Sequence, residues 1–374
     1  MSPDIEIRGC QALIDEVRAR RLCAGCGACS GLCPYHVPYR GRMVTLDDCT
    51  LAQGRCYAFC PRTPVDLNLL SQTVFGTPYA AGELGTAKEV MISRAAHDAL
   101  RSRAQYGGTV STLVAFALRS GLIDTAVLTT SDAGMLPSGR AVRDEAGVLA
   151  CAGSNFVASP TLQTFNREAA GDAQRIGVVA TPCQALALAK MRASPLENRS
   201  NIDKLKLVIG LFCTWSLRYE DFSRFLSERV PLDQIVKVDI PPPPANVFEV
   251  YTDSTRLTIP LDQVRTFTRA TCNYCLDMTS EFADLSVGAA EGIEGWNTVI
   301  VRSEAGAKLV EAARAAGVLE VAALPDTSLE HLKEAALLKK KRALSNIAEN
   351  TGSRDDLLYL EPSRQALAAL LPGS

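Results

Sequence analysis

Apolar positions along the chain change period several times, and each change marks an element. Near the start, Leu13, Ile14 and Val17 fall on one helical face, so residues 1–20 read as a short helix. Residues 21–68 carry neither period. Gly, Pro and Cys recur throughout, and so loop-rich a segment is expected to bury little apolar side chain. From about Glu83 strands and helices alternate. KEVMISRA (Lys88–Ala95) reads as a strand. TVSTLVAFALRSGLID (Thr109–Asp124) reads as a helix, with Val110, Leu113, Val114 and Ala117 on one face and Gly121 as its stop. Thr125–Thr130, Arg175–Ala180 and Lys206–Phe212 are apolar runs of buried-strand length. Gln184–Arg192 and YEDFSRFLSERV (Tyr219–Val230) are helical.

Farther on, Pro241–Pro244 make a stiff turn or linker. VFEVYTDSTRLTIPL reads as a hairpin about Asp253, and ADLSVGAAEGIEGWNTVIVR as two strands around a glycine-rich loop. The tail from Ser328 to Asn350 is helical, with KKKR (Lys339–Arg342) as a solvated face. The expected fold class is an α/β core, a mixed sheet with flanking helices, plus an N-terminal loop-rich ferredoxin-like [4Fe–4S] module. The expected division is 1–78 for the iron–sulfur segment, 79–170 for a first α/β part and 171–374 for a second with the helical tail.

Composition narrows the function. The chain has 374 residues, 47% hydrophobic and 21% charged, with a net charge of −2, which offers no electrostatic case for nucleic acid. No stretch approaches the ~18 uninterrupted apolar residues of a membrane helix, and MSPDIEIRGC lacks a basic region followed by an apolar run. A soluble, cytoplasmic protein is expected. Thirteen cysteines are the anomaly, and in a long chain without a secretory signal they point to metal or cluster ligation rather than disulfides.

Seven of those cysteines lie between Cys23 and Cys60. CAGCGACSGLCP spaces Cys23, Cys26, Cys29, Cys33 and Pro34 as C-x2-C-x2-C-x3-C-P, the run by which bacterial ferredoxins hold clusters. Three thiolates on one tight loop wrap three corners of a cubane, and the fourth reaches a second cluster. Gly25, Gly27 and Gly31 let the backbone bend. Zinc more often takes paired C-x2-C units. CTLAQGRCYAFCP follows with Cys49, Cys56, Cys60 and Pro61. Under the ferredoxin crossover, Cys60 joins Cys23, Cys26 and Cys29, while Cys33, Cys49 and Cys56 share the other cluster. The position of the missing fourth ligand holds Leu46; Cys10, Asp47 and Asp48 are candidates, and a three-iron cluster is an alternative.

Downstream, Cys183 and Cys213 each follow a buried strand, where α/β folds build their sites, and CNYC adds Cys272 and Cys275. Four thiolates suit one more cubane; the alternative is that Cys183 and Cys213 are buried apolar cysteines. His36, His97 and His331 form no ligand spacing and read as surface or packing residues.

AQYGGTVSTLVAFALRSGLIDTAVL, ATPCQALALAKMR, GLFC, CNYCLDMTSEFADLSVG and GWNTVIVR occur in this order. Together they resemble the beta-subunit family of coenzyme F420-reducing hydrogenase and dehydrogenase, over about residues 83–345. That family includes F420-dependent sulfite reductases and chlorophyll-pathway reductases. The resemblance implies FAD, a [4Fe–4S] cluster, and F420 or NAD(P)H as a diffusible hydride carrier; with the N-terminal cysteines, two to three [4Fe–4S] clusters are expected in all. It implies cluster ligands at Cys183, Cys213, Cys272 and Cys275. Cofactor contacts are implied at Gln105, Tyr106, Gly107, Gly108, Thr109, Thr181 and Pro182. Tyr106 departs from the small or acidic residue many relatives carry there. The glycine pair agrees physically, since it opens a helix whose N-terminal amides suit a phosphate. The expected function is an oxidoreductase subunit moving electrons between the carrier and iron–sulfur centres of a hydrogenase, dehydrogenase or reductase complex, or ferredoxin. The alternative is a ferredoxin-driven terminal reductase of an organic substrate.

Overall fold

The computed structural model describes residues 5–97, 101, 106–131, 135–196, 198–241 and 245–371. A hairpin of β1 (His36–Tyr39) and β2 (Arg42–Thr45) lies within the cysteine-rich segment. The central sheet draws on β3 (Glu89–Ala95), β4 (Thr125–Ser131), β5 (Pro137–Val142), β6 (Ile176–Ala180) and β7 (Leu205–Leu211). A separate three-stranded sheet holds β8 (Ile235–Asp239), β9 (Val247–Thr252) and β10 (Arg256–Pro260). The central sheet then takes β11 (Leu285–Ala289), β12 (Asn297–Val301) and β13 (Leu319–Ala323).

These eight strands run in the order β13-β3-β12-β11-β7-β6-β4-β5. The middle, β11-β7-β6-β4, is parallel, and both flanks are antiparallel, so the sheet is mixed. Side-chain alternation explains why helices cover both faces. Val127 and Val208 point into one hydrophobic cluster, while their neighbours Leu128, Leu207 and Ile209 point into the other. The helices Thr109–Arg119 and Glu304–Ala315 cover the second face through Leu113, Val114, Leu309 and Val310. The helices Thr161–Ala170 and Pro182–Ala193 cover the first. Gly121 takes φ +72° just past the first of these helices and ends it, as its sequence predicts.

Three expectations are corrected. Residues 21–68 do bury apolar side chains: Tyr57, Phe59, Val65 and Leu67 join Leu13 and Val17 in the cluster that holds Leu162, Phe165 and Leu188. The segment lies against the core rather than on it as a loose appendage. Gly27, at φ +83°, sits where a Cβ would be 2.4 Å from the Pro160 carbonyl oxygen. The Cys26 carbonyl accepts a bond from the Leu162 amide at 3.1 Å, and Asn166 donates to the Ala28 and Ser30 carbonyls. The expected helix over 1–20 is shorter, starting at Cys10 and passing into a wider turn over Ile14–Arg18. Pro242–Pro244 lie outside the described residues.

The third correction is KKKR. Only Lys341 and Arg342 are exposed; Lys339 and Lys340 are 3% and 0% exposed. Lys340 lies on the buried stripe of the helix Asp326–Thr351 that also holds Ala336, Ala343, Leu344 and Ile347. Its ammonium pairs with Glu281 at 2.7 Å and donates to the Gly82 carbonyl, while Tyr79 donates to the same carboxylate. Removing one member strands a buried charge, so Lys340→Met is expected to cost about 3–5 kcal/mol. Lys340→Met combined with Glu281→Leu should cost less than the single change. Anaerobic thermal denaturation of the single and double variants checks this; a double variant as unstable as the sum of its parts would contradict it.

Candidate functional site

Parallel strands β6 and β7 are neighbours, and the chain leaves both at the same edge. Cys183 stands at the start of the helix that follows β6, and Cys213 two residues beyond β7. Cys272 lies in the 3-10 turn Ala270–Tyr274, and Cys275 directly follows it. All four line one cavity of about 770 Å³. The Cys213 amide donates to the Met278 carbonyl at 2.8 Å, which ties the β7 exit to the CNYC loop. Ser216 N–H donates to Cys272 Sγ at 3.3 Å, and the Thr181 hydroxyl lies 3.3 Å from Cys183 Sγ.

Buried cations surround these thiols. Lys339 donates to the carbonyls of Cys213 (2.6 Å) and Asp277 (2.8 Å), holding both cysteine loops from the long helix. Burial pushes the Cys213 thiol up. At Cys275 burial pushes the same way, but Lys339 and Arg62 outweigh it and bring the thiol below its ordinary value. Arg62, 3% exposed, donates from Nε to Thr271 and from Nη1 to the Tyr359 hydroxyl, and stacks on the Tyr359 ring at 4.7 Å. Burial opposes its charge, yet Tyr359, Cys275 and Cys183 hold it above its ordinary value.

The upstream cysteines form two further groups. Burial raises Cys26 and Cys29, and Cys60 adds to both, with Cys23 acting on Cys29 and Cys60. Lys190 opposes burial at Cys60, and burial in turn lowers Lys190 to about 8. Cys183 is the strongest charged neighbour of Cys26, which itself lines the cavity. The other group holds Cys33, Cys49 and Cys56. Burial, with Cys10, Cys33 and Cys49 adding to it, pushes Cys56 up to about 12. Cys33 is exposed.

The loop expected to hold a flavin opens on the same cavity. Gly108 (φ +73°) is the N-cap of the helix Thr109–Arg119, which has no side-chain cap. Gly108, Thr109, Val110 and Ser111 line the cavity. Gly107 approaches β3 and β12 so closely that a Cβ would sit 2.8 Å from Asn297 Oδ1 and 2.9 Å from the Ser93 carbonyl. Thr109 is buried and bonded to Ser93 and Asn297, which fixes the helix start. Tyr106 also lines the cavity and donates its hydroxyl to the Ile240 carbonyl at 3.0 Å. Thr181 and Pro182 are on the wall, but that helix caps itself through a Thr181–Gln184 box. Gln105 lies outside the described residues.

Sequence reasoning missed Arg62, Lys190 and Lys339. Arg62 directly follows the C-P of Cys60–Pro61, and Lys190 lies two helical turns from Cys183 on the same face. For Lys339 only its place beside the buried Lys340 position gives a signal. Of the histidines, His36 is buried, while His97 and His331 are exposed.

Known proteins share this arrangement of chain and fold. Residues 90–166 match the N-terminal family of the coenzyme F420 hydrogenase/dehydrogenase beta chain, and residues 173–327 match the C-terminal family of the same chain. The coenzyme F420 hydrogenase beta subunit of Methanothermobacter thermautotrophicus is 30% identical over 271 residues, covering 71% of this chain and 95% of that one. The F subunit of the F420H2 dehydrogenase of Methanosarcina mazei is 28% identical over 336 residues, 88% of this chain and 92% of the relative. A chain of the F420-reducing [NiFe] hydrogenase complex from Methanosarcina barkeri superposes with a TM-score of 0.66 at 25% identity, covering 71% of this chain and 93% of that one. With the family matched across both halves of its core, this chain belongs to the coenzyme F420 hydrogenase/dehydrogenase beta-subunit family of oxidoreductase subunits.

Proposed function

We propose that this chain is a flavin- and iron–sulfur-bearing subunit that exchanges electrons with a hydride carrier and with the iron–sulfur centres of a partner redox complex. Coenzyme F420, named in the relatives, is preferred over NAD(P)H. The acidic residue that follows a dinucleotide-binding G-x-G-x-x-G and would favour NAD is missing from the sequence. The observation that carries the reading is one cavity bearing four cysteines on one wall and an uncapped helix N-terminus on another.

The residues fit both groups. Cys183, Cys213, Cys272 and Cys275 would hold one cluster, and Cys23, Cys26, Cys29 and Cys60 a second. Cys33, Cys49 and Cys56 belong to a third. Among the described residues no three His, Cys, Asp or Glu side chains close on a point as a single metal ion requires, whereas a cubane spreads its thiolates over separate corners. The amides of the first turn at Thr109–Ser111 would take a flavin phosphate, and Gly107 would keep the backbone low enough to admit it. Bound there, a flavin supplies the exchange between two-electron and one-electron carriers. Arg62 and Lys339 favour the thiolate form at Cys275. The cysteine segment runs from Cys26 on the cavity wall to Cys33 at the surface, a course that supports a partner docking at the Cys33 face.

Two outcomes test this. Gly108→Leu forces a bulky side chain onto a left-handed backbone at the helix start. It is expected to lose most of the bound flavin and keep the iron, read by released flavin and iron assay on anaerobically purified protein. Full flavin occupancy would place the cofactor elsewhere. Reduced F420 is expected to bleach the flavin of the wild-type protein faster than NADH or NADPH at equal concentration. The margin should be about tenfold or more, the discrimination one well-placed polar contact supports. Equal or faster bleaching by a nicotinamide would reverse the assignment of the carrier.

A further inference from the structure

Three cysteines of the outer site need a fourth donor, and the C-x2-C position before Cys49 is Leu46, which is 65% exposed. Asp47 and Asp48 are exposed too, and Asp47 spends a carboxylate oxygen on the Asp48 amide at 2.8 Å. Cys10 is different. It is 3% exposed and begins the helix Cys10–Leu13. The chain is pressed against the second cysteine loop at that point. The Gly54 amide donates to the Arg8 carbonyl at 3.1 Å, and a Cβ on Gly9 would lie 2.1 Å from the Leu51 carbonyl oxygen. The strongest charged neighbour of Cys10 is Cys49, with Cys33 also acting on it, and Cys10 heads the charged neighbours of Cys56.

The buried histidine points the same way. Arg18 Nη2 lies 2.9 Å from His36 Nδ1, and a guanidinium can only donate, so Nδ1 is the acceptor. The ring hydrogen is therefore on Nε2, which lies 3.7 Å from Cys10 Sγ and donates to it. A hydrogen bond aimed at a buried sulfur suits a thiolate ligand.

We propose that Cys10 is the fourth thiolate of the outer iron–sulfur site, with Cys33, Cys49 and Cys56, and that His36 donates its Nε2 hydrogen to it. This rests on the iron–sulfur reading above. On ligation the Cys10 S–H bond breaks, its proton leaves to solvent and a sulfur–iron bond forms, with no electron moved. His36 is a positioning residue, and its N–H favours the more negative, reduced state of the site.

The full-length chain, purified anaerobically, is assayed for iron and examined by EPR during reductive titration. Wild-type protein without iron would sink the reading this rests on. With iron present in the wild type, Cys10→Ser is expected to lose about one to four iron per chain and to alter one EPR component, leaving the others. Asp47→Asn and Asp48→Asn are expected to match wild type. His36→Leu keeps every thiol; it should hold full iron yet move the midpoint of that same component to a more negative potential. Wild-type iron and EPR in Cys10→Ser, iron loss in either aspartate variant, or an unmoved midpoint in His36→Leu would overturn the proposal. Should Cys10→Ser fail to fold, the His36→Leu midpoint decides alone.

Discussion

The buried Arg62 guanidinium is where the architecture converges. It sits one residue past Cys60–Pro61, bonds Thr271 beside the CNYC loop, and stacks on Tyr359 from the C-terminal tail. Tyr359 in turn donates to the Tyr274 carbonyl, and its own carbonyl accepts the Val65 amide. A lone cation in so dry a place would be costly. It is tolerable because Cys183 and Cys275 face it and favour its charge. Lys190 at Cys60 and Lys339 at Cys213 and Cys275 repeat the arrangement. Buried cations beside sulfur are what a set of negatively charged thiolates requires.

The sheet topology explains why the site lies where it does. Parallel β6 and β7 end side by side, so the two cysteines that follow them arrive together without any contact between distant loops. The helix behind Gly108 starts at the same cavity because Gly107 lets the backbone pass close to β3 and β12. The cysteine-rich segment then closes the cavity through Cys26, packed on Leu162 by its own carbonyl. Its burial of Tyr57 and Phe59 makes it part of the same hydrophobic cluster as the core helices.

Elements with strong periodicity were legible in the chain: the apolar strands β4, β6 and β7 and the hairpin about Asp253 lie within one or two residues of expectation, and the helix behind Gly108 starts at Thr109 as expected but ends at Arg119, short of Asp124. The hairpin β1–β2 has four residues a strand and no clean alternation, so nothing local announces it. Strand β5 contains Pro, Ser and Gly, and is held by pairing with β4 instead of by its own propensity. KKKR misled for a physical reason: a lysine is buried only when partners exist, and those of Lys340 lie at Tyr79, Gly82 and Glu281, far away in sequence. The site divided likewise. Spacing marked the grouped cysteines as candidates, since tight loops need close ligands, whereas the place proposed for Cys10 among them rests on tertiary contact.

The central claim is that the cysteines are arranged for several four-thiolate clusters in a series leading from the cavity to the surface. Mössbauer spectroscopy of protein grown on iron-57 and purified anaerobically tests this most directly. The account predicts about 8–12 iron per chain, in the spectra of tetrathiolate-bound cubanes. Stoichiometric zinc with almost no iron would contradict it.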